Sequence, residues 1–443
     1  MKVEKRAKLS LIRSSINFQF ISMFKKTTLK NGLRILTVPM RETKTVTILV
    51  LVGTGSKYET KEINGISHFL EHMYFKGTKK RKTVIAVAET LDKVGGIYNA
   101  FTGGEYTGYF AKVDSTHFDL ALDWVSDIFL SSTLSEKEIE KEKKVIIEEI
   151  NMRNDHPMEH VQILWTKLLY GDQPAGWDVA GEKESVVKIN RENLIEYMKS
   201  QYVAKNTVIS LAGNFNEDSV IEKVKKYFSK INTQKPIEKP MVIEKQTKPA
   251  LLLNPRETDQ AHICLGARAF NLFHPKKYAQ ELLAVILGGM MSSRIFLEVR
   301  SKLGIAYYVS TTSEANPDTG FIYTQAGLDN QNVKKGILTV LKEYQKISNK
   351  KVSKKELKKA KDYLKGKTTL LLEPSDSKAS FFAGQELLEE KILTPEEIFA
   401  KIDKVTAEDI LKVARNIFRP EKLNLALIGP FKEKETFEKL LKL

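Results

Sequence analysis

The 443-residue chain contains a single cysteine, Cys264, so it can form neither an internal disulfide nor a cysteine-built zinc cluster. Any metal must be held by histidine and carboxylate, and histidine is scarce at 7 residues. No uninterrupted apolar run is long enough to cross a bilayer, so no membrane span is expected. Arginine is also sparse, supplying only 13 of 71 basic residues. That scarcity bears on the net charge of +16, because phosphate-reading surfaces favour the arginine fork. The lysines instead alternate with glutamates, as in KEIEKEKK and KKVSKKELKKAKD, which reads as solvated helix faces. A nucleic-acid partner is therefore not expected. What is present in ordinary measure is apolar material, 42% hydrophobic and 9% aromatic, enough for real cores in two or more domains.

The N-terminus, MKVEKRAKLSLIRSSINFQFISMFKK, is basic and poor in acids. Arg13 breaks its apolar run and no small-residue cleavage site follows, which argues against a secretory signal. Residues 1–22 are expected to be a disordered extension. The expected compartment is the cytoplasm, or an organelle matrix if the extension acts as a presequence.

Lysine and proline crowd KINTQKPIEKPMVIEKQTKP (230–249), where Pro236, Pro240 and Pro249 suppress helix and suit an extended linker. The halves on either side resemble each other. INRENLIEYMKSQYVAKNTVISLAGNF (189–215) matches VTAEDILKVARNIFRPEKLNLALIGPF (405–431) without a gap at an offset of 216. LSEKEIEKEKK (134–144) matches VSKKELKKAKD (352–362) at an offset of 218. So long a period marks a duplicated domain, not a solenoid. Each half reads as α+β: strands are expected at 45–53, 106–113 and 208–215, and again at 262–270, 320–328 and 423–431. Helices are expected at 116–130, 135–154, 333–347 and 353–371. The expected architecture is two homologous α/β-sandwich lobes, 23–229 and 250–443, joined by the linker.

The sharpest chemical signal is His68-Phe69-Leu70-Glu71-His72. At helical spacing His68 and His72 share a face with Glu71 between them, while Ile66, Phe69, Leu70 and Met73 fall opposite. Two imidazoles one turn apart can reach one zinc, and the adjacent carboxylate can take a proton from water. Zinc needs a third protein ligand, and SEKEIEKEKKVIIEEINMR offers glutamates. Ile139, Ile146 and Ile150 form an apolar stripe with Glu142 and Glu149 at its edge, while Glu148 projects to the lysine side. A carboxylate beside a buried stripe needs a partner, so Glu149 is the expected ligand and Glu142 the residue that orients a ligating imidazole. At the offset of 218, Glu142 falls on Ala360 and Glu149 on Lys367, and KKYAQELLAVILGG (276–289) has no histidine pair. One lobe should hold the metal and the other none. His156 and His160 lack ligand spacing and are read as surface residues.

With Glu149 standing 77 residues after His72, the chain resembles the pitrilysin-type, insulinase-like family of zinc metallopeptidases, in its processing-peptidase-like branch with bacterial members. NGLRILTVP, GISHFLEHMYFKGT, GGIYNAFTGGEYTGYFAKV, EKKVIIEEI and SSRIFLEVRSKLGIAYYV stand in family order across residues 24–443. The resemblance implies a metalloendopeptidase with one zinc per chain on His68, His72 and Glu149, with Glu71 as general base and Glu142 behind the ligands. It further implies that Asn99 and Ala100 lie on an edge strand to which substrate adds, and that Arg300 and Tyr307 reach the scissile carbonyl from the second lobe. Glu159 matches one acidic substrate-binding position, but Ile163 stands where a second is expected. Family chambers enclose unfolded peptides within four lobes, which implies a homodimer here, or a heterodimer with a metal-free homologue. The alternative function is a non-catalytic binding or assembly subunit of the same fold.

Overall fold

A computed structural model describes residues 23–389 and 391–443; the expected N-terminal extension lies outside the described residues. β3 (Thr45–Val52, TVTILVLV) is buried along almost its whole length, so both faces of its sheet must be covered. It is central in a sheet with β1 (Lys25–Thr28), β2 (Arg34–Pro39), β4 (Ile97–Thr102), β5 (Thr107–Asp114) and β6 (Thr207–Gly213), ordered β1-β2-β6-β3-β5-β4. The second sheet comprises β7 (Ala250–Pro255), β8 (Gln260–Arg268), β9 (Ala306–Ala315), β10 (Gly320–Asp329) and β11 (Leu423–Gly429), ordered β7-β11-β8-β10-β9.

Without β1, the two orders are the same. In each sheet one parallel pair, β2 with β6 or β7 with β11, adjoins antiparallel strands. The sequence repeat is therefore a repeat of topology, and β4 and β9 are corresponding edge strands. The expected helices form at Phe118–Ser131, Glu136–Asp155, Val333–Asn349 and Lys354–Leu371. On one face of the first sheet, the isoleucine stripe Ile139, Ile146 and Ile150 joins Ile66, Phe69, Leu70 and Met73 in one buried core. A separate core fills the second lobe.

The other face of each sheet is covered by the opposite half of the chain. The helix Pro157–Tyr170, started by Pro157 in its first turn, lays Val161, Leu164 and Trp165 on Cys264, Phe321, Tyr323, Ala426 and Ile428 of the second sheet. The helix Ser375–Leu388 lays Ala379, Phe382 and Ala383 on Leu36, Val38, Leu49, Leu51 and Val208 of the first. The 218-residue offset carries each of the first three residues onto its counterpart. The lobes thus exchange equivalent helices.

The segment 230–249 holds no helix or strand, apart from a single bridge between Asn232 and Val203. Its backbone is tied down by side chains from both lobes: Gln201 Nε2 of the first donates to Ile237 O at 3.1 Å, and Asp318 Oδ2 of the second accepts from Val242 N–H at 3.3 Å.

Candidate metal centre

The histidine helix, Ile66–Met73, begins at Gly65, whose φ of 96° is left-handed and whose missing Cβ would lie 2.6 Å from Ala180 O. Its first turn is held by a buried carboxylate. Glu59 Oε2 accepts from Gly65 N–H at 2.7 Å and Oε1 from Ser67 N–H at 2.9 Å, a charge suited to a helix N-terminus. With Ile66, Phe69, Leu70 and Met73 buried, His68, Glu71 and His72 stand half-buried on the opposite face. The helix Glu136–Asp155 brings Glu142 and Glu149 alongside, and leaves Glu148 exposed.

His68 Nε2 and His72 Nε2 are 3.2 Å apart, and Glu149 Oε2 lies 3.6 Å from each. A tetrahedral ion with bonds of about 2.0–2.1 Å spaces its ligands about 3.3 Å apart, so the donors fit zinc. They form the metal-competent cluster found among the described residues. Burial, with help from the neighbouring His72 and Arg153 charges, holds the His68 imidazole down to about 3, which favours the neutral form that ligates a metal.

Behind the donors, Glu142 Oε1 lies 2.8 Å from His72 Nδ1, and Lys76 Nζ donates to Glu142 Oε2 at 2.7 Å. Burial works to raise Glu142, but the bonds from His72 and Lys76 outweigh it and keep the carboxyl below its ordinary value. An ionised carboxylate only accepts, so Nδ1 carries the proton, and the ring is aimed with Nε2 toward His68 and Glu149. His68 Nδ1, by contrast, is buried without a hydrogen-bond partner among the described residues.

Glu71 Oε2 accepts from Thr102 Oγ1 at 2.5 Å. Burial raises this carboxyl, and Thr102 and His72 only partly pull it back. The result is a stronger base than an ordinary glutamate.

The structure thus gathers His68, Glu71, His72, Glu142 and Glu149. It places the other expected residues further out. Asn99 is exposed on β4, where its Oδ1 accepts from Ala100 N–H at 2.9 Å, and Ala100 packs inward. Arg300 is exposed, with its guanidinium 5.3 Å from the Phe296 ring. Tyr307, on β9, is 74% exposed. Among the described residues no side-chain hydrogen bond or ion pair joins Arg300 or Tyr307 to the histidine helix. Glu159 is exposed on the rim of a cavity of about 460 Å³ that both lobes line, with Lys57, Arg153, Trp177 and Glu314. His156 is exposed as expected. His160 is not a surface residue: it is half-buried, with Nε2 3.3 Å from Asn254 Nδ2, because its helix is the one that packs on the second sheet.

Sequence reasoning missed Thr102 and Lys76. Each had a signal. Thr102 lies two residues after Ala100 and shares its face of the strand, and Lys76 follows His72 by the four residues of one helical turn. In the second lobe Ala360 is buried and Lys367 exposed, and the segment 277–289 buries leucines, isoleucine and valine where the first lobe has its histidines.

A two-lobed α+β chain with two histidines and a carboxylate converging in one lobe is the class this geometry defines. The family profile described as Insulinase (Peptidase family M16) matches residues 34–183, and the profile described as Peptidase M16 inactive domain matches 188–364. The chain is 39% identical over 412 residues to an uncharacterized zinc protease of Bacillus subtilis, covering 92% of this chain and 98% of that one. Its fold matches a protease from Helicobacter pylori with a TM-score of 0.86 at 24% identity, over 92% of this chain and 99% of the other. It also matches a chain of complex III2 from Candida albicans with a TM-score of 0.81 at 19% identity, over 95% and 100%. The chain belongs to the insulinase family, peptidase family M16, and the whole donor set lies within the span of the first profile.

Proposed function

We propose that the chain is a zinc-dependent endopeptidase that cleaves peptides and unfolded segments, with one zinc held by His68, His72 and Glu149. The observation that carries this reading is the convergence of those three donors beside a half-buried Glu71. Zinc bound there supplies a Lewis acid that polarises a carbonyl and makes water a better acid. Glu71 takes the proton of the attacking water and later delivers it to the leaving amine. Arg300 and Tyr307, from the second lobe, donate hydrogen bonds to the carbonyl oxygen as negative charge develops. Asn99 and Ala100 present the free edge of β4, where substrate adds as a further strand through its backbone, so many side chains are tolerated. Glu159 completes the substrate-binding set from the cavity rim.

An enclosed chamber would need four lobes, so the working assembly is a homodimer, with a metal-free homologue as the alternative partner. The proposed compartment is the cytoplasm. A fully active monomer in sedimentation would count against the dimer.

The deciding experiment measures zinc per chain and hydrolysis of a quenched peptide for wild type and Glu71→Gln. The reading expects one zinc in both and a loss of roughly 10²–10⁴-fold in the variant. The second reading, a non-catalytic binding or assembly subunit, draws support from the fold shared with the complex III chain. A wild type that stays metal-free and inactive after zinc is added back would select it.

A further inference from the structure

Lys76 follows His72 by four residues, just beyond the end of the histidine helix. Its ammonium donates to one oxygen of Glu142 at 2.7 Å, while the other oxygen lies 2.8 Å from His72 Nδ1. Glu142 is only 4% exposed, so solvent is a poor substitute for either donor. We propose that Lys76 is a positioning residue of the metal centre, which locks the Glu142 carboxylate in the orientation that aims His72 and thereby raises the affinity for zinc. The proposal rests on the metal site argued above.

The physical case is one of rotation. A carboxylate held through a single oxygen can turn about its last side-chain bond; held through both, it cannot. Both donors come from the same short segment, one turn apart, and they grip a residue of the neighbouring helix. That helix also carries Glu149, two turns further on. The grip therefore fixes the His72 ring and, with it, the separation of the two helices that supply the donors. Without the ammonium, one buried oxygen of Glu142 lacks its donor, and a buried charged acceptor left unpaired is costly. The carboxylate escapes that cost by turning, which releases Nδ1 and leaves the His72 ring free to swing. His68 has no such brace: its Nδ1 finds no hydrogen-bond partner among the described residues. The effect of Lys76 must therefore act through His72.

The test is zinc affinity, measured by competition with a chelator on the full chain, for wild type, K76M, K76Q, K76R and H68A. K76M is expected to weaken zinc binding roughly ten- to a hundredfold, the range for outer partners of a ligating histidine. K76R is expected to restore most of the affinity, and cobalt(II) at the site should show an altered visible spectrum in K76M and not in K76R. If K76M does not fold, K76Q, which keeps a donor without the charge, takes its place. A K76M, or K76Q in its place, that binds zinc as the wild type does, while H68A has lost it, overturns the role of Lys76 alone. A wild type without zinc, or an H68A that keeps it, overturns the metal site and this proposal with it.

Discussion

Leu164 and Phe382 stand at the same position of the internal repeat, and each is buried against the sheet of the opposite lobe. Neither sheet can cover its outer face with its own half of the chain, so the lobes depend on each other for stability, far beyond the linker that joins them.

Phe382→Ala and Trp165→Ala should each cost about 3–5 kcal/mol, the usual range for emptying a buried aromatic site. Both residues are about 1% exposed and lie in opposite interfaces. Denaturant unfolding followed by far-ultraviolet dichroism should show one transition in the wild type, shifted as a whole by either substitution. Two wild-type transitions, with each variant moving only one, would show that the lobes fold independently.

The helices could be read locally, but their exchange could not. Val161, Leu164, Trp165 and Leu169 recur at helical spacing, which says that a face is buried without saying by which sheet. The donor set was legible because its parts are local: two histidines one turn apart, and two glutamates beside an isoleucine stripe. Lys76 and Thr102 went unread because their partners are 66 and 31 residues away. The Pro-rich segment read as a spacer, since composition cannot reveal that one of its lysines, Lys239, is half-buried among charges.

Those charges form a quartet between the lobes. Glu105 Oε1 takes Lys57 at 2.8 Å and Lys239 at 2.6 Å, and Lys239 also reaches Asp318 at 2.9 Å. A buried pair broken on one side leaves a desolvated charge, at a cost of about 3–5 kcal/mol. Glu105→Gln, which faces both lysines, should lower unfolding stability by that amount, and 0.5 M salt should change the difference little, since buried pairs are weakly screened. A loss that salt abolishes would place the quartet at the surface in solution.

Thr102 offers a test of the base through pH. Burial lifts Glu71, and the Thr102 hydroxyl is the first of the groups that pull it back. Thr102→Val removes that pull, so Glu71 should take up its proton at higher pH and cease to act as a base there. The acid limb of kcat/KM should move to higher pH, with a drop in plateau activity smaller than that of Glu71→Gln. An unmoved limb, or one displaced toward acid, would mean that Thr102 does not govern the base.

Metal removal should separate folding from chemistry. The histidine helix is held by four buried apolar side chains and by Glu59 at its first turn, none of which needs an ion. Chelation should therefore abolish peptide hydrolysis and leave the far-ultraviolet dichroism unchanged at 25 °C. Zinc should still stabilise the chain by mass action, about 2.7 kcal/mol when free zinc is a hundred times its dissociation constant. That increment should be missing from His68→Ala and Glu149→Ala, because each removes one of the three donors. A chain that unfolds on chelation would mean that the ion, and not the apolar face, holds the helix in place; a chain that zinc stabilises equally in all three proteins would mean that the ion binds elsewhere.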